Sequence, residues 1–250
     1  MRKNPVPLRR LKRRLLYDKP DRQNELKRIF DMKNGKNGNP TGGDRPSLRN
    51  GSMATSYYRF LTRHLLGHVE KAGLSPNQIS LIGVLCAAVV PLGFAVHPFV
   101  GLLFLVFSAM ADSLDGLVAR KRNQATAFGA FLDDSLDRVA DFLYLVGFWV
   151  LFWGSRLWLP ATVLTLSAIG LTQVVSYIGI RSALAGMRCP DGILGRTART
   201  VYLISWAGLI VCVPGGRPAI MWMGLVLYNA LVLTTLIQRI LYIRRFSSPA

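Results

Sequence analysis

Between Ala111 and Arg138 the chain reads ADSLDGLVARKRNQATAFGAFLDDSLDR, which sets Asp112, Asp115, Asp133 and Asp137 at fixed spacing among apolar residues. As a pattern this is D-x2-D-G-x2-A-R-x8-G-x3-D-x3-D, with Gly116, Ala119, Arg120 and Gly129 at the remaining positions. Each identity is met by chance about once in ten to twenty positions, so all eight together are expected on the order of once in 10^9 windows. Four carboxylates at the edge of hydrocarbon cannot all be ionised without a counter-charge, because like charges at short range in low dielectric repel strongly. Aspartate oxygens are hard ligands that suit Mg2+, Mn2+ or Ca2+ and argue against zinc, which favours nitrogen and sulfur. Two such ions sharing the cluster would stabilise the attacking and leaving oxygens of a displacement at phosphorus. Gly116 and Gly129 let a ligand approach the helix backbone, and Arg120 offers a forked contact to a phosphate. Acids for metal, glycines for a flat group and an arginine for phosphate suggest a nucleotide diphosphate. The ordinary alternative is a set of interhelical salt bridges to Arg120, Arg122 and Arg138, but six carboxylates crowd this stretch once Asp134 and Asp141 are included.

These side chains need elements that hold them. With 250 residues, 51% of them hydrophobic, a mean hydropathy of +0.30 and only 13 acids, a wholly soluble chain would need a core larger than its surface could cover. The apolar stretches are long enough for helical spans and lack the alternation of membrane barrel strands, so the fold class is all-α, an integral membrane protein. Six transmembrane helices are expected at about 78–96, 99–119, 129–153, 157–182, 199–214 and 218–241. Before them, residues 52–73 mix Tyr57, Phe60, Leu61, Leu65 and Leu66 with Arg59, Arg63 and Lys71, which fits an amphipathic helix lying in the interface. Gly73 ends it, and Ser75 followed by Pro76 starts the next helix. Residues 1–51 form a basic tail, largely flexible linker from residue 33 on, and residues 74–250 form the catalytic domain.

Charge gives orientation. The connections carry alternating charge, with three basic residues between Arg120 and Ala127 and four between Arg181 and Arg199, against at most one arginine in each of the others. The positive-inside rule then puts both basic loops and both termini in the cytoplasm of a multi-pass cell-membrane protein. The second and third spans form a hairpin turned at Arg120 to Ala127, with Asp112 roughly 12 Å along the helix from Arg120. Asp112 and Asp115 are three apart and Asp133 and Asp137 four apart, so each pair shares a helix face. The net charge of +18 is concentrated in residues 1–50, which hold 15 Lys and Arg against five Asp and Glu, and anionic lipid is the expected partner of that tail, with no nucleic acid. Cys86, Cys189 and Cys212 are isolated, without zinc or disulfide spacing.

The eight-position pattern resembles the signature of the CDP-alcohol phosphotransferases with no position missing. The resemblance covers roughly residues 55–245. It implies a six-helix domain, usually a homodimer, in which an acceptor hydroxyl displaces CMP from a CDP-linked alcohol, commonly CDP-diacylglycerol, with Mg2+ or Mn2+ at a two-metal site. By the same resemblance Asp112, Asp115, Asp133 and Asp137 would ligate metal, Asp137 would also take the acceptor proton, and Asp112, Gly116, Arg120, Thr126 and Gly129 would line the CDP.

Within the family the chain looks most similar to the phosphatidylinositol-phosphate synthases, through Leu74 to Asn77, Asp137-Arg138 with Asp141, Ser176-Tyr177-Ile178, Arg196 with Arg199, and Gln238-Arg239. Those enzymes hold a phosphorylated acceptor with a lysine after Ser-Tyr-Ile and two later arginines. Arg199 and Arg239 match the arginines, while Gly179 stands at the lysine's position. Arg181, Arg196, Arg199 and Arg239 are therefore the candidates for the acceptor's phosphate. The leading expectation is phosphatidyl transfer from CDP-diacylglycerol to a polyol phosphate such as inositol phosphate. Alternatives are an unphosphorylated polyol or other acceptor, a CDP-aminoalcohol donor and, in a different class, a divalent-cation transporter.

Overall fold

The protein is described here from a computed structural model, covering residues 61–122, 126–185, 187 and 189–247. The basic tail and the first part of the expected interfacial helix lie outside the described residues.

All regular structure among the described residues is helical. A π-helical turn over Leu61–Leu65 leads into α1 (Leu66–Lys71), and six long helices follow: α2 (Pro76–Val96), α3 (Pro98–Lys121), α4 (Ala127–Val150), α5 (Trp158–Leu184), α6 (Arg196–Cys212) and α7 (Arg217–Ser247). Local chemistry sets their starts. Ser75 Oγ accepts from the Gln78 amide at 3.3 Å while the Gln78 side chain accepts from the Ser75 amide at 2.8 Å, a reciprocal cap that opens α2 with Pro76 as its first residue. His97 Nδ1 accepts from the Phe99 amide ahead of Pro98, and Thr126 Oγ1 accepts from the Gly129 amide at 2.9 Å to open α4.

The six long helices fall where the sequence places them, the last running on to Ser247. Among the described residues, four helical segments are long and apolar enough to cross a membrane: Pro76–Val96, Pro98–Lys121, Trp158–Leu184 and Pro214–Arg245. The other two depart for identifiable reasons. α4 carries Asp133, Asp134, Asp137 and Arg138 in its first half and Asp141 just beyond, and α6 has only 17 residues and begins with two arginines in its first turn. Outside these stretches the pattern is that of a helical bundle turned outward: Leu85, Leu92, Val163, Leu166 and Met223 are more than half exposed on its surface.

One expectation changes. α3 and α4 form the hairpin in chain order but touch little, because α2 packs extensively on α3 and also on α4. The result is a cleft between the two aspartate-bearing helices, with α2 as its back wall and α6, which packs on α3, entering from the other side. Gly83 permits the α2–α3 contact, since a Cβ there would stand 3.1 Å from that of Ala111. The described part of the segment expected in the interface is docked on protein: Leu61 and Leu66 are buried with Ile79, Ala111, Leu114 and Val118.

A second packing centre lies deeper. Phe148 of α4 and Trp206 of α6 stack at 4.0 Å with their planes 5° apart, and the indole of Trp206 fits against Gly224 of α7 and donates to the Ile220 carbonyl at 3.0 Å. Val90, Phe94, Leu105, Leu145 and Phe148 close this core between α2, α3 and α4.

Candidate metal and nucleotide centre

Asp112 comes from α3, and Asp133 and Asp137 from the first turns of α4. One carboxylate oxygen of each lies within 4.8 Å of the other two. Charges about 5 Å apart at an effective dielectric of 20 repel by roughly 3 kcal/mol per pair, so three ionised carboxylates here require a cation among them. The donor set is three hard oxygens, which fits Mg2+ or Mn2+. A protein cation supplies a second sign of that demand: Nη2 of Arg196, the first residue of α6, donates to Asp112 Oδ1 at 2.5 Å and also to Asp137 Oδ1. Salt bridges thus do form in the cluster, from Arg196 to Asp112 and Asp137. Arg122 donates to the Leu74 carbonyl at 2.8 Å.

Asp115 is buried outside this tight trio, although it lines the same cleft. Ser80 of α2 donates to its Oδ2 at 2.5 Å. A hydroxyl inside an apolar run was the available signal for Ser80, whose partner 35 residues away was not. Below the carboxylates a relay crosses three helices: Tyr144 donates to Ser108 Oγ at 2.6 Å, and Ser108 donates to the Gly83 carbonyl at 2.6 Å.

Of the residues expected against the nucleotide, Asp112 lines the cleft, and the others gather around two glycines. The guanidinium of exposed Arg120 lies over Gly116, where a Cβ would come within 3.3 Å of Nη1. A Cβ on Gly129 would meet Thr126 Oγ1 at 3.0 Å and Asn77 Oδ1 at 3.4 Å, so the starts of α2 and α4 meet at this glycine. Asn77 was not singled out from sequence as a contact of Gly129.

The four candidate phosphate arginines separate into three situations. Arg181 is exposed on the last turn of α5, and Arg196 holds the carboxylates. Arg199 and Arg239 are buried. Arg199 Nη2 donates to Asp141 Oδ2 at 2.8 Å and Ser176 Oγ at 3.2 Å; Arg239 donates through Nη1 to the Val175 carbonyl at 2.6 Å and through Nη2 to the Asp191 carbonyl at 3.1 Å. Each retains a buried Nε without a hydrogen-bond partner. The loop before α6 is tied to α7, with Thr235 Oγ1 accepting from the Leu194 amide at 3.0 Å and Gln238 Oε1 from the Ile193 amide at 3.2 Å. The cysteines are free thiols, and burial raises the pKa of Cys189 in that loop, with nearby Arg239 partly opposing the rise.

Residues 74–236 match the family of CDP-alcohol phosphatidyltransferases. The archaetidylinositol phosphate synthase of Methanothermobacter thermautotrophicus is 32% identical over 197 residues, 78% of this chain and 95% of that protein. The phosphatidylinositol phosphate synthase of Mycobacteroides abscessus is 32% identical over 162 residues, 63% of this chain and 72% of that one. Among solved structures, Mycobacterium tuberculosis phosphatidylinositol phosphate synthase with CDP-DAG bound superposes with a TM-score of 0.61 at 27% identity, over 70% of this chain and 89% of that one. The same enzyme in complex with manganese and citrate gives a TM-score of 0.62 at 26% identity, over 74% and 89%.

Proposed function

Because the chain belongs to the CDP-alcohol phosphatidyltransferase family, we propose that it transfers a phosphatidyl group from CDP-diacylglycerol to a phosphorylated polyol of the inositol phosphate class, releasing CMP. The observation that carries this reading is the convergence of Asp112, Asp133 and Asp137 from two helices onto a space one cation wide.

Asp112, Asp133 and Asp137 would hold Mg2+ or Mn2+, with Asp115, fixed by Ser80, as the fourth carboxylate of the cleft. A bound divalent cation there withdraws electron density from the donor phosphorus and neutralises departing CMP. Asp137 is the base in this reading, and its side chain, 11% exposed against 39% for Asp112, supports a position deeper between the helices. As the acceptor oxygen bonds to phosphorus and the phosphorus bond to CMP breaks, an Asp137 carboxylate oxygen takes the hydroxyl proton and later passes it to water. Gly116, Arg120, Thr126 and Gly129 would line the CDP. Arg199 and Arg239, each with an open buried Nε–H, are suited to an anionic acceptor, with Arg196 and Arg181 nearer the surface.

The same reading makes all six long helices spans. α4 and α6, at 24 and 17 residues, reach across hydrocarbon within the usual range, and Asp133, Asp137, Asp141 and Arg196 line the cleft. Both termini are cytoplasmic by loop charge, residues 74–250 form the catalytic domain, and the chain acts as a homodimer. Residues 1–51 serve as a lipid-facing tail.

The test is CMP release from CDP-diacylglycerol by purified protein in nanodiscs, given inositol phosphate, glycerol phosphate, inositol or serine with Mn2+ or Mg2+. Product with a phosphorylated polyol supports the reading. Product with free inositol or serine alone moves the chain to the unphosphorylated-acceptor branch.

A further inference from the structure

Arg196 occupies the oxygens that a metal would need. Its Nη2 donates to Oδ1 of both Asp112 and Asp137, two of the three carboxylates that converge. A guanidinium and a divalent cation held against the same two oxygens repel each other at short range, so the two compete for one anionic centre.

The attachments of the two arginines in the first turn of α6 differ. Arg199 is 3% exposed and is fixed by Asp141 and Ser176. The Arg196 side chain is 41% exposed, on the first residue of the helix, so rotation of its own stem can release it without moving α6. Arg196 and Arg199 are three residues apart, with Cβ atoms about 5–6 Å from each other on one helix face. A released Arg196 therefore lies beside Arg199, whose buried Nε is still open.

We propose that Arg196 is an exchangeable counter-charge, which holds the carboxylates while they lack metal and, once displaced by a divalent cation, joins Arg199 in binding the anionic group of the acceptor. Metal loading thereby creates part of the acceptor site, and the order of events is built into one side chain. This rests on the metal-dependent, phosphorylated-acceptor reading above. By linkage the coupling is reciprocal: the factor by which metal tightens acceptor binding equals the factor by which acceptor tightens metal binding.

The test uses the full chain in nanodiscs without CDP-lipid, with Mn2+ binding followed by the electron-spin signal of free Mn2+ and inositol phosphate binding by calorimetry. Wild type should show reciprocal tightening of about tenfold, within the ordinary range for such couplings. Arg196→Gln should bind Mn2+ about tenfold more tightly and lose the coupling, with Arg196→Lys intermediate. Wild-type protein treated with phenylglyoxal, read by peptide mass spectrometry, should show several-fold more adduct at Arg196 with Mn2+ and a fall again when inositol phosphate is added. This arm needs no variant to fold. Unchanged or weaker Mn2+ binding by folded Arg196→Gln, or Arg196 labelling indifferent to Mn2+, overturns the proposal. CMP release by wild type tests the transferase reading separately, so failure there leaves the Mn2+ titration to decide on Arg196.

Discussion

The guanidinium of Arg239 fills the space that a side chain at position 179 would claim: a Cβ on Gly179 would stand 2.6 Å from Arg239 Nη1. The same Nη1 donates to the Val175 carbonyl one turn earlier on α5, so the arginine lies along the groove that the missing side chain leaves. The departure at 179 and the arginine late in α7 are thus one arrangement. Gly179→Leu should displace Arg239 and raise the KM for inositol phosphate by about tenfold or more, as expected for loss of a charged hydrogen bond worth about 1.5–3 kcal/mol, while the KM for CDP-diacylglycerol changes less than twofold. Steady-state CMP release with each substrate varied in turn checks this.

Asp137→Asn should lower CMP release by about 10^2–10^4-fold, the usual contribution of a positioned base, while binding of CDP-diacylglycerol persists. Asp112→Asn should weaken Mn2+ and nucleotide binding together, because that side chain is one of the three converging donors. Turnover at the wild-type rate in either variant would remove the assignment.

Ser80→Ala leaves Asp115 buried without its hydroxyl partner, at a cost of about 1–3 kcal/mol. The unfolding midpoint in detergent should fall by several degrees, by about 2–4 °C per kcal/mol in a domain of this size. An unchanged midpoint would mean that Asp115 draws its support from elsewhere.

Asp141→Ala strands the Arg199 guanidinium at 3% exposure, and removing one partner of a buried pair costs about 3–5 kcal/mol. Replacing both at once, Asp141→Leu with Arg199→Met, should recover much of that stability while leaving the acceptor KM high. Equal KM for wild type and the double variant would show that Arg199 serves packing alone.

Deleting residues 1–51 should leave CMP release in detergent within about twofold of wild type and weaken association with vesicles rich in anionic lipid, where each basic residue near the surface contributes about 1 kcal/mol. Loss of all activity in detergent would give the tail a part in the chemistry.

What could be read from residues alone follows the range of the interactions. Ser75-Pro76 marks a helix start because caps act over three or four residues, and Asp112 with Asp115, and Asp133 with Asp137, could each be placed on one helix face because helical period is local. The pattern that they fill is also the one whose family match covers residues 74–236. Arg196 reaches Asp137 across 59 residues and Asp112 across 84, and no periodicity carries such a pairing. The interposed α2 was hidden for a related reason: chain order yields the hairpin of α3 and α4, whereas contacts such as Gly83 on Ala111, between residues far apart in sequence, bring a third helix against it. Gly179 read as a lost lysine until the geometry of Arg239 gave its absent side chain a use.

The Tyr144–Ser108–Gly83 relay has a bearing on traffic. It floors the acidic vestibule with hydroxyls whose protons are already committed, and directly beneath lie Val90, Phe94, Leu105 and Phe148, each at most 3% exposed. That apolar floor disfavours onward passage of a desolvated ion and suits a reaction whose water-soluble reactant and product meet at the acidic end while the greasy partner slides in sideways.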